Sequence, residues 1–194
     1  MESPEELLQE GDGLLLVDVQ TDFCPGGALP IPDGDLVVPV LNQWTAAAQK
    51  RRVPVYASRD YHPLRHPSFS AQGGKWPPHC IQDTPGAAFH RDLELPGGSL
   101  IITKGVRFDQ DQNSAFDQTG LAEQLRRDRI KRLWVGGLAL DVCVLATVLD
   151  ARKEGFSVNL LLEGSLPVTA EGRKDAVEKM RRAGAVMVGP ALLG

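Results

Sequence analysis

The chain has 194 residues, of which 42% are hydrophobic, enough for one domain over residues 1–194 with a sizeable core. Its net charge of -4, with acidic and basic residues interspersed, offers no electrostatic footprint for nucleic acid or for an anionic membrane. The longest apolar run near the start, Leu14 to Val17, is too short for a secretory signal, and no stretch has the length to cross a bilayer.

Met1 to Asp12 is polar and acidic and reads as a frayed end or a short helix. Gly13 to Asp18 is a continuous apolar run closing on a carboxylate, the pattern of a buried parallel strand. Gln20 to Gly27 is a loop, which Pro30 to Gly34 extends. Asp35 is placed to cap a helix with Val37, Leu41, Trp44 and Ala48 on its inner face and Pro39 near its first turn. Val53 to Ser58 is a second strand. The long loop after it, Arg59 to Pro96, carries prolines and histidines, and a loop of that length inside a compact domain is usually functional.

Ser99 to Lys104 is a third strand, ending in a lysine, and Leu121 to Arg127 is a short helix. Leu133 to Val135 reads as a buried strand that Gly136 and Gly137 then break. Leu145, Val148 and Leu149 recur at helical spacing behind Asp141, which is placed to cap that helix. Val158 to Leu162 is a fifth strand, Glu171 to Ala183 a helix with Ala176, Val177 and Met180 inward, and Ala185 to Val188 a last strand. Strands alternating with helices predict an α/β fold: an open, mostly parallel six-stranded sheet with helices on both faces, in a Rossmann-like three-layer arrangement. No G-x-G-x-x-G follows the first strand, so a dinucleotide-binding module has little support.

The strand ends carry the chemistry. Asp18 ends the first strand, Asp60 lies just past the second, Lys104 ends the third and Cys143 follows the fourth. In an open α/β sheet these carboxyl ends line one crevice, where ligands bind. A carboxylate, an ammonium and a thiol delivered there by separate strands read as a nucleophile with its supporting groups. Cys143 falls in the first turn of its helix, where the macrodipole favours a thiolate; the plain alternative is a small apolar residue packed under the helix. Three cysteines at unrelated spacings argue against a disulfide framework and favour a reducing, cytoplasmic setting.

Asp60, His62 and His79 can converge on one divalent metal through a carboxylate and two imidazoles, a donor set that suits zinc, iron or manganese. Histidines on a loop surface, or a metal that only staples the loop, is the alternative. His90 lies beyond the cluster and reads as surface. Phe23 and Trp76, aromatics in the two loops flanking the crevice, can sandwich a flat ring, although loop aromatics also serve as core plugs.

Residues Val17 to Phe23, Asp60 to Phe69, Trp76 to Cys80, Lys104 with Gly105, and Gly137 to Cys143 together resemble, in order, the motifs of the nicotinamidases (pyrazinamidases), within the isochorismatase-like cysteine hydrolases. The resemblance covers nearly the whole chain. It implies Asp18, Lys104 and Cys143 as the catalytic triad, and Asp60, His62 and His79 as metal ligands, with His66 a fourth ligand or a partner behind them. Phe23 and Trp76 would hold the pyridine ring, with Leu29, Leu138 and Ala139 at the pocket, and a non-proline cis peptide would fall at Leu138–Ala139. The implied activity is metal-dependent hydrolysis of nicotinamide to nicotinate and ammonia through a cysteine thioester, in NAD salvage. The implied cofactor is one divalent ion, zinc ahead of iron or manganese. A homo-oligomer is compatible with the sequence. Leu140 stands where many relatives have threonine, and Glu163 to Leu166 replaces a more usual Asp-x-Cys-Arg pattern. The rival readings are a related cysteine hydrolase acting on another small amide or carbamoyl compound, and an inactive ligand-binding homologue.

Overall fold

Strand β1 (Asp12–Val17) is buried along its whole length and lies near the middle of the sheet. The computed structural model describes residues 2–189. Beside β1 run β2 (Val55–Asp60) and β4 (Arg132–Leu138), followed outward by β3 (Leu100–Lys104) on one side and by β5 (Ser157–Leu166) and β6 (Val186–Val188) on the other. Every pairing is parallel, so the expected mostly parallel sheet is parallel throughout.

Alternation along β1 explains why it has no polar face. Leu14 and Leu16 join the core under α2 (Val37–Arg51), together with Leu41, Trp44 and Trp134. Leu15 and Val17 join the opposite core under α3 (Leu121–Arg127), α4 (Leu145–Lys153) and α5 (Ala170–Arg182). A parallel sheet needs helices on both faces, and the continuous apolar run is the sequence signature of that demand. The other helix, α1 (Pro4–Leu7), is a single turn near the start of the chain, closed by a capping box between Ser3 and Glu6.

Three local expectations need correction. The glycines do not end β4; they lie inside it. Gly137 pairs with Val17 at φ 140°, where a Cβ would stand 2.0 Å from the Val17 carbonyl oxygen, so β4 continues past Val135 because these residues have no side chain to obstruct it. Asp35 does not cap α2: it sits inside a 3-10 turn, Gly34–Leu36, and α2 starts without a side-chain cap. Nor does Asp141 cap the helix after β4. It lies in a π-helical turn, Leu140–Val144, and its carboxylate accepts from the Val168 backbone N–H at 2.8 Å, tying that turn to the segment leading into α5.

The first connection runs from β1 through α2 to β2, whereas β4 lies on the other side of β1. Chain direction across the sheet therefore reverses at β1, and the crevice at such a reversal lies over the carboxyl ends of the strands. Those ends carry Asp18, Asp60, Lys104 and Cys143.

Candidate active site

Lys104, at the end of β3, is fully buried, and its Nζ lies 2.7 Å from Asp18 Oδ2, 2.7 Å from Asp60 Oδ1 and 3.6 Å from Cys143 Sγ. A buried ammonium is tolerable only with opposite charge around it. Burial alone would drive the Lys104 ammonium to lose its proton, but Asp18 and Asp60 outweigh that and hold it charged, well above the usual lysine range. Ser58, from β2, donates to Asp18 Oδ1 at 2.6 Å and fixes the rotamer of that carboxylate.

One ammonium faces two carboxylates here, so the cluster tends to retain a further proton. Burial pushes the Asp18 carboxyl up despite Lys104 and Ser58, and burial likewise pushes the Cys143 thiol well above its ordinary value. The thiolate expected from the helix macrodipole is therefore corrected. In the metal-free protein Cys143 is a neutral thiol beside a carboxylate able to take its proton, because desolvation exceeds what a helix terminus returns.

Asp60 joins this trio to a second cluster. One of its oxygens pairs with Lys104, and the other lies 3.7 Å from His62 Nε2. Burial raises the Asp60 carboxyl, yet Lys104, His62 and His79 together hold it below the ordinary carboxylate range. Ligand atoms of Asp60, His62 and His79 lie within 4.8 Å of one another, as do those of His62, His66 and Asp111.

Each of the three imidazoles is oriented from behind. His62 Nδ1 is 2.8 Å from the Gly105 carbonyl, His79 Nδ1 is 2.8 Å from the Pro77 carbonyl, and His66 Nδ1 is 2.7 Å from Ser68 Oγ. A carbonyl partner requires the proton on Nδ1, which leaves the Nε2 lone pairs of His62 and His79 free to bind a metal. Phe69, wholly buried, wedges against all three rings at centroid distances of 5.5, 5.8 and 5.6 Å. Burial pushes His62 below the ordinary imidazole value and His66 down to about 4, so both are neutral donors. His66 Nδ1 also accepts from the Ser68 N–H at 3.3 Å, and its Nε2 is buried without a hydrogen-bond partner. With the His62 and His79 Nε2 lone pairs converging beside the Asp60 carboxylate, the residues fit a divalent metal.

The cleft over the two clusters has about 480 Å³ of empty space, counting its open mouth. Phe23, Leu29, Trp76, Ala139 and Cys143 line it, together with Asp60, His62 and His79. Leu138 does not: its side chain is fully buried in the α2 core, and it reaches the site only through its cis peptide to Ala139. His90 lies outside the cluster, 3.9 Å from the Asp92 carboxylate, with its side chain only 18% exposed; it is half-buried rather than surface.

Sequence reasoning missed Asp111 and Asn113, which line the cleft from the segment after β3, and Val142 and Val168, which complete its wall. Asn113 Oδ1 is 4.0 Å from Cys143 Sγ. It also missed Gln20, fully buried, whose amide both donates to the Asp60 carbonyl at 2.7 Å and accepts from the Asp60 N–H at 2.8 Å. Its place two residues beyond Asp18 was the available signal.

A carboxylate, a lysine and a cysteine brought together from the ends of β1, β3 and β4, next to an aspartate–histidine cluster, define a class. Residues 12–190 match the model of the Isochorismatase domain, and the chain belongs to that family. It is 38% identical to the nicotinamidase of Escherichia coli (strain K12), over 90% of this chain and 92% of the relative. It is 32% identical to the nicotinamidase/pyrazinamidase of Mycobacterium tuberculosis (strain H37Rv), over 90% of this chain and 97% of the relative. Within the family, it belongs with the nicotinamidases. The structure of a Pyrococcus horikoshii pyrazinamidase in complex with zinc superposes with a TM-score of 0.90 at 40% identity, covering 93% of this chain and 99% of that one. An L. infantum protein in complex with nicotinate superposes at 0.84 with 36% identity, covering 91% of each chain.

Proposed function

We propose that the chain hydrolyses nicotinamide to nicotinate and ammonia through a thioester on Cys143, with one bound divalent metal, in the salvage of NAD. The observation that carries the mechanism is the position of the Lys104 ammonium, 2.7 Å from Asp18 and 3.6 Å from the sulfur of Cys143, which lines a cleft with Phe23 and Trp76.

In this reading Asp18 takes the thiol proton as the Cys143 sulfur bonds to the carboxamide carbon. Backbone N–H groups of Ala139 and Cys143 receive the oxyanion, each donor contributing about 3 kcal/mol in comparable sites. The proton on Asp18 passes to the departing nitrogen, the C–N bond breaks and ammonia leaves. Water then adds to the thioester and gives Asp18 a proton; the C–S bond breaks, and that proton returns to the sulfur. Lys104 stays charged throughout and keeps Asp18 aimed at the sulfur.

Asp60, His62 and His79 would hold the metal, with His66 as a fourth ligand or a partner behind them. When bound, a divalent cation supplies a Lewis acid for the pyridine nitrogen, drawing electron density from the carboxamide. Zinc suits this nitrogen and oxygen donor set, as iron and manganese also do. Phe23 and Trp76 hold the ring, and Leu29 and Ala139 close the pocket. Three free, buried cysteines suit the cytoplasm, and among the described residues no helix is long and apolar enough to cross a membrane.

Ammonia release measured over a panel of nicotinamide, pyrazinamide, aliphatic amides and carbamoyl compounds tests the assignment. Turnover is expected with the two aromatic amides. Turnover confined to carbamoyl or aliphatic substrates would replace the reading with that of a related cysteine hydrolase.

A further inference from the structure

We infer that Gln112 is a positioning residue for His62, acting through the Gly105 peptide; the inference rests on the reading of His62 as a metal ligand. The segment that follows β3 has little apolar anchoring at its start, where Val106 is 40% and Phe108 76% exposed. Gln112, only 3% exposed, anchors it instead. Its Oε1 accepts from the N–H groups of Gly105 at 3.1 Å and Val106 at 3.3 Å, while its Nε2 donates to the Asp117 carbonyl at 2.6 Å.

The Gly105 peptide is thereby gripped from two directions. The peptide unit bearing the Gly105 carbonyl is held at its N–H, that of Val106, by Gln112 at 3.3 Å, and the carbonyl receives the His62 Nδ1–H at 2.8 Å; the Gly105 N–H, on the preceding peptide unit, is held by Gln112 as well. No other residue type fits there: φ is 70°, and a Cβ would stand 2.5 Å from His62 Cε1. With no side chain of its own, Gly105 depends on Gln112 to hold the carbonyl where it selects the His62 tautomer and aims Nε2 at Asp60 and His79. Asp111 and Asn113, the immediate neighbours of Gln112, both line the cleft, so one buried amide also fixes that part of its wall. Outer partners of this kind typically change metal affinity by about 10–100-fold when removed.

The test is zinc affinity, measured by competition with a chromophoric chelator, together with 15N NMR of the histidine side chains in the metal-free protein. Gln112→Met keeps the volume and removes all three hydrogen bonds. It is expected to weaken zinc binding by about 10–100-fold and to mix the His62 tautomers. Gln112→Glu keeps the acceptor for Gly105 and Val106 and is expected to stay within a few-fold of wild type. If the Met variant does not fold, Gln112→Asn, one methylene too short to reach Gly105, takes its place. Wild-type affinity with an unmixed His62 tautomer in the Met or Asn variant would overturn the inference. Equal losses in that variant and Gln112→Glu would do so too, since only Glu keeps the bond to Gly105. If His62→Ala binds zinc as tightly as wild type, it is the metal-centre reading that fails, and the inference falls with it.

Discussion

The two halves of the cleft meet at Asp60, and they solve opposite problems. On the triad side, Asp18, Asp60 and Cys143 converge as closely as a metal site would require, yet the cation among them is supplied by the chain itself, Lys104. On the histidine side, neutral imidazoles are oriented from behind and packed against Phe69, and His66 Nε2 is left buried without a partner. The first cluster carries its own cation; the second presents donors that suit one. Imidazoles braced from behind and converging on one carboxylate indicate a ligand more strongly than the presence of histidines does.

That contrast predicts separable failures. The largest expected effect is on the triad side: Cys143→Ala should lower ammonia release from nicotinamide by about 10⁵–10⁶-fold, as nucleophile removal does elsewhere, while zinc affinity stays unchanged. A loss of both together would show that the halves do not operate separately. Replacing His62 and His79 together, or dialysing against a strong chelator, should remove the metal and most turnover, and yet leave Cys143 alkylation intact. Elemental analysis beside mass spectrometry of the labelled thiol checks that pair of outcomes.

Lys104→Met attacks the point the halves share. It leaves the Asp18 and Asp60 charges buried without their counterion, and a cost of about 3–5 kcal/mol is expected, read from urea unfolding of the metal-free chain. A variant as stable as wild type would mean that the cluster is not held by charge. The thiol offers a finer probe. Because burial pushes Cys143 well above the ordinary thiol value, its alkylation in the metal-free protein should be slow at neutral pH. The rate should keep rising with pH beyond the point where a free cysteine levels off; a plateau below pH 8 would restore the thiolate. The smallest effect belongs to Ser58→Ala, which removes one hydrogen bond to a charged acceptor and should reduce kcat by about tenfold without changing metal content.

The halves also differ in how legible they were. Gly13 to Asp18 announces a strand buried on both faces, and four strand ends bearing Asp, Asp, Lys and Cys announce a crevice, because parallel topology leaves those ends one place to converge. The glycines of β4 misled because a break and a close backbone approach use the same residue; only the partner strand, Val17, distinguishes them. Asp141 misled for a similar reason. A carboxylate ahead of a helix is a cap by sequence, but here Val168 and Thr169, distant along the chain, take it. The protonation of Cys143 could not be read at all, since it depends on how deeply the sulfur is buried and on two carboxylates brought from other strands. Asp111, Asn113 and Gln112 belong to no periodic pattern, and only the path of the loop gives them their neighbours.

The double attachment of Asp60 sets the order in which such a centre can be dismantled. Dismantling could begin with the imidazoles, one at a time, and still keep Lys104 neutralised by Asp18 and Asp60. It could not begin with Asp60, because that single change would unsettle the lysine and the ion together. The two chemistries can thus be parted from the histidine end but not from the carboxylate they share.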